Sequence, residues 1–509
     1  MFAKVHSAAV IGIDAFPLEI EVDVSGGNPN FIIVGLPDTS VSESKERVRT
    51  ALINSKLTFP FRKIVVNMAP ADIRKEGASF DLPIALGILA ATEQISSEKL
   101  ETFLIIGELA LDGALRRTNG VLPVAAMLKE SGIKKVIVPK ENANEASLVE
   151  GIDVYPAGTL SEAVNIVRAE ELFEPYRGNG EAGYSPVYQV DFSDVKGQEG
   201  AKRALEVAAA GGHNLIMIGP PGSGKTMLAK RVPTILPPMS REEALEVTRI
   251  FSISGLLSPE KALIMERSFR SPHHSASKAG LVGGGAVPRP GEVSLAHRGV
   301  LFLDEIPEFD RNVLEVLRQP MEDGIVTISR ATLSLTFPAQ FMLIASMNPC
   351  PCGFATDPSK ECTCPQIAVR KYLMKISGPL MDRIDIHIEV PRLKFDELTR
   401  YRPGEPSEDI RKRVIEARGI QKKRFENMKV YANADMLPKH IKKYCILPTD
   451  AKGLLKQANE QMGLSARAYD RILKLSRTIA DLAGSEKIAT EHVAEAIQYR
   501  SLDRAGMMG

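Results

Sequence analysis

The segment Gly219-Pro220-Pro221-Gly222-Ser223-Gly224-Lys225-Thr226 decides the fold of the central part of this chain. It fits the pattern G-x-x-x-x-G-K-[ST] and lies between a strand-like run at 214–218 and a helix-like run at 227–232, which argues against a simple Gly-rich turn. In that order, glycines let backbone N–H groups surround a phosphate at the positive end of a helix. We therefore expect all eight residues to bind a nucleotide within an α/β domain. Lys225 would reach the β- and γ-phosphates, and the Thr226 hydroxyl would hold Mg²⁺.

Two further strand-like runs end in polar residues that suit the same chemistry. The apolar run 299–303 ends in Asp304 and Glu305, and the run 340–347 ends at Asn348. Ligands of α/β sheets bind at the carboxyl ends of parallel strands. Asp304 is therefore expected to hold Mg²⁺, Glu305 to polarise the attacking water, and Asn348 to contact that water or the γ-phosphate. The alternative for the acidic pair is that it caps the next helix.

The composition is that of a folded globular chain. Its 509 residues include 64 Lys+Arg and 63 Asp+Glu, a net charge of +1, with 25% charged and 44% hydrophobic residues, which excludes a mostly disordered or fibrous protein. No apolar run reaches the roughly eighteen residues of a membrane span. The amino terminus lacks the pattern of a signal peptide, and five cysteines do not make a disulfide scaffold. We expect a cytoplasmic protein without a membrane partner.

The length predicts about three domains, and the pattern along the chain agrees with that number. Strand-like and helical runs alternate over 1–170, a polar, Gly-rich stretch at 171–189 is typical of a linker, and 190–392 contains the motifs above. Residues 393–509 are largely helical and poor in glycine. The sequence therefore predicts two α/β domains followed by a helical one.

These motifs, in this order, resemble those of the AAA+ ATPases. Further segments narrow the resemblance to the magnesium-chelatase-like family and, within it, to the ComM/YifB group: Val195 with Gly197-Gln198, 271–275, 290–297 and 348–353. The resemblance implies ATP and Mg²⁺ as cofactors and a C-terminal α-helical lid on a P-loop AAA+ core. It also implies self-association into a ring, with a homohexamer as the expected form.

The same resemblance implies a function on DNA. The implied partner is single-stranded or branched DNA bound without sequence preference. The implied work is ATP-driven branch migration or helicase-type remodelling of recombination intermediates during natural transformation. A chelatase-type ATPase that remodels proteins is the alternative.

Two arginines acquire roles through the resemblance. Residues 378–385 match the family segment that carries the arginine finger, so Arg383 is implied to reach the γ-phosphate of the adjacent subunit. Residues 464–468 match the sensor-2 segment of the lid, which makes Arg467 a second phosphate contact. For either arginine alone, the alternative is a surface ion pair.

Four of the five cysteines fall within fifteen residues of one another, at Cys350, Cys352, Cys362 and Cys364. Four thiolates at this spacing can close a tetrahedral Zn²⁺ site that holds a loop lacking a core of its own. The alternatives are reduced thiols without a ligand and redox-active disulfides. Cys445 is expected to be an ordinary buried thiol.

Two segments are candidates for contact with DNA in the pore of a ring, as the resemblance to the helicase-like AAA+ proteins implies. The first, 273–292, contains Lys278, three consecutive glycines and Arg289. The second is a predicted β-hairpin at 325–335 with Arg330 near its tip. A few cations on flexible loops suit a phosphate backbone that is followed without reading its sequence. The alternative is that these loops grip a polypeptide.

The first domain resembles the proteolytic domain of Lon protease, which has the ribosomal S5 domain 2-like fold. The segment 75–79 places Ser79 at the position of Lon's nucleophile, which a lysine of lowered pKa activates. Leu128 occupies the position that matches this lysine, and Lys129 follows one residue later, about 100° further round a helix. Asp81 replaces an expected glycine and would keep a nearby lysine protonated. We expect a non-catalytic scaffold, with an ATP-dependent Lon-like serine peptidase as the alternative.

Overall fold

The computed structural model describes residues 1–72, 75–178, 188–285, 288–329, 334–357, 360–393, 404–428 and 430–500. Contacts within the chain divide it into two compact units. The first comprises Met1–Tyr184 and Arg241–Ile264, and the second comprises Ser185–Ser240 and Met265–Gly509.

The first unit is built on a seven-stranded mixed sheet. The strands of this unit are β1 Phe2–Ile11, β2 Asp14–Ser25, β3 Asn30–Val34, β4 Lys63–Ala69, β5 Phe103–Ile105, β6 Glu108–Leu109, β7 Leu115–Arg116, β8 Lys135–Pro139 and β9 Asp153–Ala157. Strands β6 and β7 form a separate two-stranded sheet. The helices of this unit are α1 Thr39–Asn54, α2 Asp81–Ala91, α3 Ser97–Leu100, α4 Val121–Glu130, α5 Ala143–Ala146 and α6 Leu160–Arg168. The order in the large sheet is β3-β4-β2-β1-β5-β8-β9. The strand pairs β1–β2 and β2–β4 are antiparallel, and the other neighbours are parallel.

Helix α2 forms the centre of the first unit's core. All its residues are buried, as expected for a helix that is apolar on every side. Gly87 allows the helix to approach the sheet, because a Cβ there would lie 2.7 Å from Val22 Cγ2. Asp81, at the start of the helix, is fully buried and accepts hydrogen bonds from Arg47, at 2.7 Å from Nε, and from Ser44. These bonds fix α2 to α1.

A helix that follows the phosphate-loop segment in sequence belongs to the first unit. This helix, α9, spans Arg241–Ile253 and packs on α4. The Ser252 hydroxyl donates to Glu145 Oε1 at 2.5 Å, and the Ser252 carbonyl accepts from the Gly120 N–H at 3.3 Å. Arg241 forms an ion pair with Glu150 at 3.0 Å. The chain therefore passes between the two units three times.

The second unit combines a parallel sheet with C-terminal helices. Its strands are β10 Leu215–Ile218, β11 Phe269–Arg270, β12 Gly283–Gly284, β13 Arg289–Pro290, β14 Val300–Leu303, β15 Ile325–Ser329, β16 Ser334–Pro338, β17 Met342–Met347 and β18 Ile386–Glu389. Its first helices are α7 Glu199–Gly211, α8 Lys225–Ile235, α10 Lys278–Val282, α11 Glu292–Leu295, α12 Arg311–Glu315, α13 Arg318–Asp323, α14 Gln366–Leu373 and α15 Gly378–Met381. The C-terminal helices are α16 Ser407–Arg424, α17 Pro438–Tyr444, α18 Thr449–Met462, α19 Ala466–Leu482 and α20 Thr490–Gln498.

The central sheet of the second unit is parallel throughout, in the order β11-β14-β17-β10-β18. Its middle strands are buried along their whole length, which explains why they are continuous apolar runs in the sequence. One continuous core joins the sheet to α16, α18, α19 and α20, since Leu215 and Ile388 belong to the same cluster as Val414 and Ile479. The C-terminal helices thus share a hydrophobic core with the sheet.

The mixed α/β architecture with a parallel-stranded sheet confirms that part of the fold prediction. Within the described ranges, every helix is too short or too polar to cross a membrane.

Candidate nucleotide site and cysteine cluster

The phosphate loop occupies the predicted place between β10 and α8. Two glycines are required by its shape. A Cβ on Gly219 would lie 2.1 Å from the Val390 carbonyl oxygen, and Gly224 precedes α8 with φ +92°, a left-handed conformation that favours glycine. The backbone can therefore turn tightly against β18 and still begin a helix at Lys225.

The side chain of Lys225 is buried within this loop. Its Nζ donates to the carbonyls of Gly219 at 2.7 Å and Pro220 at 3.0 Å, and to Asn348 Oδ1 at 3.3 Å. Burial lowers the pKa of Lys225 below its ordinary value, while Asp304 and Glu305 oppose this shift. The amine is thus held by neutral oxygens next to Asn348, at the end of the adjacent strand β17.

The two residues expected to bind Mg²⁺ are already in contact. The Thr226 hydroxyl donates to Asp304 Oδ2 at 2.8 Å, and Asp304 Oδ1 accepts from Ser346 and from the Glu305 N–H at 3.1 Å. Hydroxyl and carboxylate oxygens are the ligands that Mg²⁺ prefers. The donor set therefore fits this ion.

Ser346 also belongs to this group of contacts, although the motifs above do not include it. It is fully buried on β17, beside β14, and its hydroxyl orients Asp304 while accepting from the Glu305 N–H at 3.3 Å. A serine within the apolar run 342–347 was the available signal. Its role depends on the neighbouring strand, because only the pairing of β14 with β17 brings it to Asp304.

Glu305 has an unusual backbone conformation. Its φ of +50° is in the left-handed region, which costs a non-glycine residue roughly 1–3 kcal/mol and is found most often at functional sites. Its side chain is exposed, and its charge acts on Lys225 and on Tyr372. The structure therefore brings Lys225, Thr226, Asp304, Glu305 and Asn348 together at the carboxyl end of the sheet.

Arg383 lies at the opposite end of the sheet. Its carbonyl accepts from Asn214 Nδ2 at 3.2 Å, and Asn214 immediately precedes β10, whereas the phosphate loop follows β10. The four residues of β10 span about 13 Å. The Arg383 guanidinium donates to the Pro379 carbonyl at 2.6 Å and pairs with Glu322. The structure thus does not bring Arg383 to the phosphate loop of its own subunit.

Arg467 is exposed in the first turn of α19, where Ser465 caps the helix by accepting from the Ala468 N–H. Burial lowers the pKa of Arg383, Glu322 opposes this shift, and the positive charges of Arg318 and Arg467 lower it further. The predicted finger and the predicted sensor therefore act on each other electrostatically.

The four clustered cysteines converge on one point. Their sulphur atoms all lie within 4.8 Å of one another. The Sγ–Sγ distance is 3.3 Å for Cys350–Cys352 and 3.6 Å from each of these to Cys362, and the Cys352 N–H donates to Cys364 Sγ at 3.4 Å. Four thiolates around Zn²⁺, at Zn–S of about 2.3 Å, are roughly 3.8 Å apart. The cluster fits a tetrahedral metal site.

Cys445 is apart from this cluster, in the core of the second unit, where burial raises the pKa of its thiol to about 12.

Two of the three residues predicted to contact DNA lie within the described part of the chain. Lys278 is exposed at the start of α10, and Arg289 is exposed in β13, paired with Gly284 of β12. The predicted hairpin is present as β15 and β16, which pair antiparallel. Arg330 lies outside the described residues.

A parallel sheet with this loop, an acidic strand end and an amide on the adjacent strand defines a P-loop nucleotide-binding protein. Comparison with known families narrows the class. Residues 191–398 match the family "Magnesium chelatase, subunit ChlI", 20–142 match "Subunit ChlI of Mg-chelatase", and 404–500 match "Magnesium chelatase, subunit ChlI C-terminal".

Similar proteins cover nearly the whole chain. The chain is 45% identical to the protein YifB of Salmonella typhimurium over 99% of its own length and 97% of that protein. It is 46% identical to the competence protein ComM of Haemophilus influenzae over 99% and 98%. A Lon protease of Bacillus subtilis is 30% identical over 32% of each chain. The chain therefore belongs to the ComM/YifB group of the magnesium-chelatase-like family, and this membership indicates an AAA+-type ATPase.

Proposed function

We propose that this protein is a ring-forming ATPase that couples ATP hydrolysis to movement on DNA. The work would be branch migration or helicase-type remodelling of recombination intermediates in natural transformation. The full-length similarity to a protein named for competence, the state in which cells take up DNA, supports this direction. The supporting observation from the structure is the separation of Arg383 from its own phosphate loop.

Each residue of the nucleotide site has a role in this proposal. Lys225 would leave the loop carbonyls to bind the β- and γ-phosphates of ATP, and Thr226 and Asp304 would hold Mg²⁺, whose positive charge would offset that of the phosphates. Glu305 orients the attacking water, and Asn348 binds that water or the γ-phosphate. Ser346 keeps Asp304 in position for these contacts.

The place of Arg383 favours a ring. The Arg383 carbonyl lies at the start of β10, about 13 Å along that strand from the phosphate loop, and the guanidinium would leave Pro379 and Glu322 to act on a nucleotide. In a closed ring, each subunit would present one end of its sheet to the nucleotide of the next, so that Arg383 completes the neighbour's site, and Arg467 would be a second phosphate contact. Six subunits are the expected number.

DNA would be contacted by cations on the inner surface of such a ring. Lys278 and Arg289 are exposed, and Arg330 is the third candidate. A few cations per subunit, repeated around a ring, give a positive channel despite a net charge of +1 per chain. Binding of this kind is independent of sequence and weakens as salt is added.

For the first unit we propose a Lon-like, S5 domain 2-like scaffold without peptidase activity. Leu128, at the position of Lon's lysine, has no amine and is buried, and Lys129 is exposed. The carboxylate of Asp81 is occupied by Arg47 and Ser44. For the four-cysteine cluster we propose one structural Zn²⁺.

A protein-remodelling ATPase is the second candidate, which the match to chelatase families favours. The ATPase rate of the full chain, measured with forked DNA, linear duplex, single-stranded DNA and unfolded protein at two salt concentrations, separates the two. We expect the largest stimulation by forked DNA and a loss of stimulation at high salt. Arg289→Ala should reduce the stimulation and leave the basal rate unchanged, with the exposed Arg62→Ala as control. Stimulation by unfolded protein alone would refute the proposal.

A further inference from the structure

The four-cysteine cluster lies directly against the phosphate loop. Gly353, one residue beyond Cys352, has φ +86°, and its N–H donates to the Cys350 carbonyl at 3.0 Å. A Cβ on Gly353 would lie 2.6 Å from Cδ and 2.8 Å from Cγ of Pro221, and 3.8 Å from Cγ of Asn348. The turn that carries the first two thiols therefore packs against both the phosphate loop and Asn348.

The segment around this turn is irregular. Among the described residues from 348 to 365 no helix or strand is present, and most side chains are exposed or half-buried. Cys350 is fully buried, so sulphur atoms form the centre of the segment. An irregular segment whose core consists of four convergent thiols depends on a metal for its shape, as small metal-bound domains do.

Pro221 is the loop residue that this turn supports. It is exposed to solvent on its remaining surface, and the two glycines at positions 222 and 224 leave the following backbone free of side-chain packing. The loop is also held at its start, where the Gly219 N–H donates to the Met347 carbonyl at 3.2 Å and the Lys225 amine donates to the carbonyls of Gly219 and Pro220. Support at Pro221 thus fixes the middle of a loop whose backbone N–H groups must converge on a phosphate.

We propose that Cys350, Cys352, Cys362 and Cys364 bind one Zn²⁺, and that this ion holds Gly353 against Pro221 so that nucleotide affinity depends on bound metal. This inference rests on the proposed binding of ATP at the phosphate loop. Soft thiolates in a tetrahedral set select zinc or iron, and each thiol releases its proton when it binds the ion. Zinc is chosen because the site is closed by four protein ligands, the arrangement of structural zinc.

The test uses the full chain and two independent readouts, metal content and the dissociation constant of a fluorescent ATP analogue. We expect about one zinc per chain and no iron absorbance. Removal of zinc with a mercurial and a chelator should weaken ATP binding about tenfold, and added Zn²⁺ should restore it. Far-UV circular dichroism should stay unchanged, because the segment contributes no helix or strand.

Two substitutions separate metal binding from its effect on the loop. Cys362→Ser should lose zinc and nucleotide affinity together, whereas Cys445→Ser, the matched control, should keep both. Gly353→Ala should keep zinc and lose affinity, because its Cβ displaces Pro221. If Cys362→Ser fails to fold, the metal-stripped wild type provides the same comparison.

Less than half a zinc per chain would overturn the inference, as would ATP binding of normal strength in the zinc-free protein or in Gly353→Ala. Disulfides between these cysteines in the protein as isolated under reducing conditions would also overturn it. A zinc-loaded wild type that binds no nucleotide would contradict the ATPase assignment itself, which distinguishes the two failures.

Discussion

The position of Arg383 leads to a test in which two inactive variants restore each other's activity. Arg383→Ala removes the proposed finger, and Glu305→Gln removes the carboxylate that orients water. Because the Arg383 carbonyl lies at the start of β10, about 13 Å along the strand from the phosphate loop, the proposal places Arg383 and Glu305 of one subunit on different nucleotides. An active site would instead combine Glu305 of one subunit with Arg383 of its neighbour.

Each variant alone should lose about a thousandfold in turnover, equivalent to about 4 kcal/mol of transition-state stabilisation. In an equimolar mixture, about one quarter of the interfaces join an intact Glu305 to an intact Arg383. The mixture should therefore recover a substantial fraction of the wild-type rate. Steady-state phosphate release, after subunits are mixed at low salt and allowed to exchange, measures this recovery.

The controls follow from the same geometry. Arg62→Ala, an exposed arginine of the first unit, should keep full activity, and a mixture of Arg383→Ala with Lys225→Ala should recover as the Glu305→Gln mixture does. Subunit exchange can be followed by energy transfer between labelled subunits. A mixture that exchanges but remains inactive would refute the assignment of Arg383 to the neighbouring site.

Two further results are expected. Ser346→Ala should raise the Mg²⁺ concentration for half-maximal ATPase activity about tenfold, because Asp304 loses the hydroxyl that orients it. Nucleotide binding without Mg²⁺ is the control and should not change. An unchanged Mg²⁺ requirement would contradict this role of Ser346. His387 is fully buried, and burial holds its pKa well below the ordinary value. The imidazole therefore stays neutral in the folded state, whereas in the unfolded chain it takes up a proton below about pH 6.5. Stability should therefore fall as pH drops below that value. The fall should be smaller in His387→Gln, as measured by thermal unfolding between pH 7 and pH 5, and equal pH slopes in both proteins would contradict this account.

The parts of the site that could be predicted are those encoded by short, contiguous motifs. The residues 219–226 carry their own turn chemistry. Asp304 and Glu305 follow one apolar strand, and Asn348 follows another. Parallel pairing of β14, β17 and β10 is enough to bring such ends together. The cysteine spacing likewise predicts the four-thiol cluster. Each C-x-C pair is local, and the two pairs lie only twelve positions apart in the sequence.

What could not be predicted depends on contacts between distant segments. In the sequence, Ser346 cannot be distinguished from any other small residue of a buried strand. Its contact with Asp304 depends on the pairing of β14 with β17. The contact of Gly353 with Pro221 joins two loops more than a hundred residues apart, and a positive φ at a glycine does not show what lies beside it. Helix α9 has an ordinary amphipathic sequence, and no change in composition marks it as part of the first unit.

The placement of α9 limits where the chain can be truncated. A polypeptide ending at Tyr184 would lack α9, and with it Ser252, one of the hydrogen-bond donors to the buried Glu145 carboxylate. A polypeptide starting at Ser185 would carry α9 without α4, with Val247 and Ile250 uncovered. Neither fragment corresponds to a self-contained folding unit, so loss of activity on truncation would report misfolding rather than the role of the missing half. To study the second unit alone, a short Gly-rich bridge must replace 241–264. To study the first unit alone, the segment 241–264 must be joined to the end of 1–184.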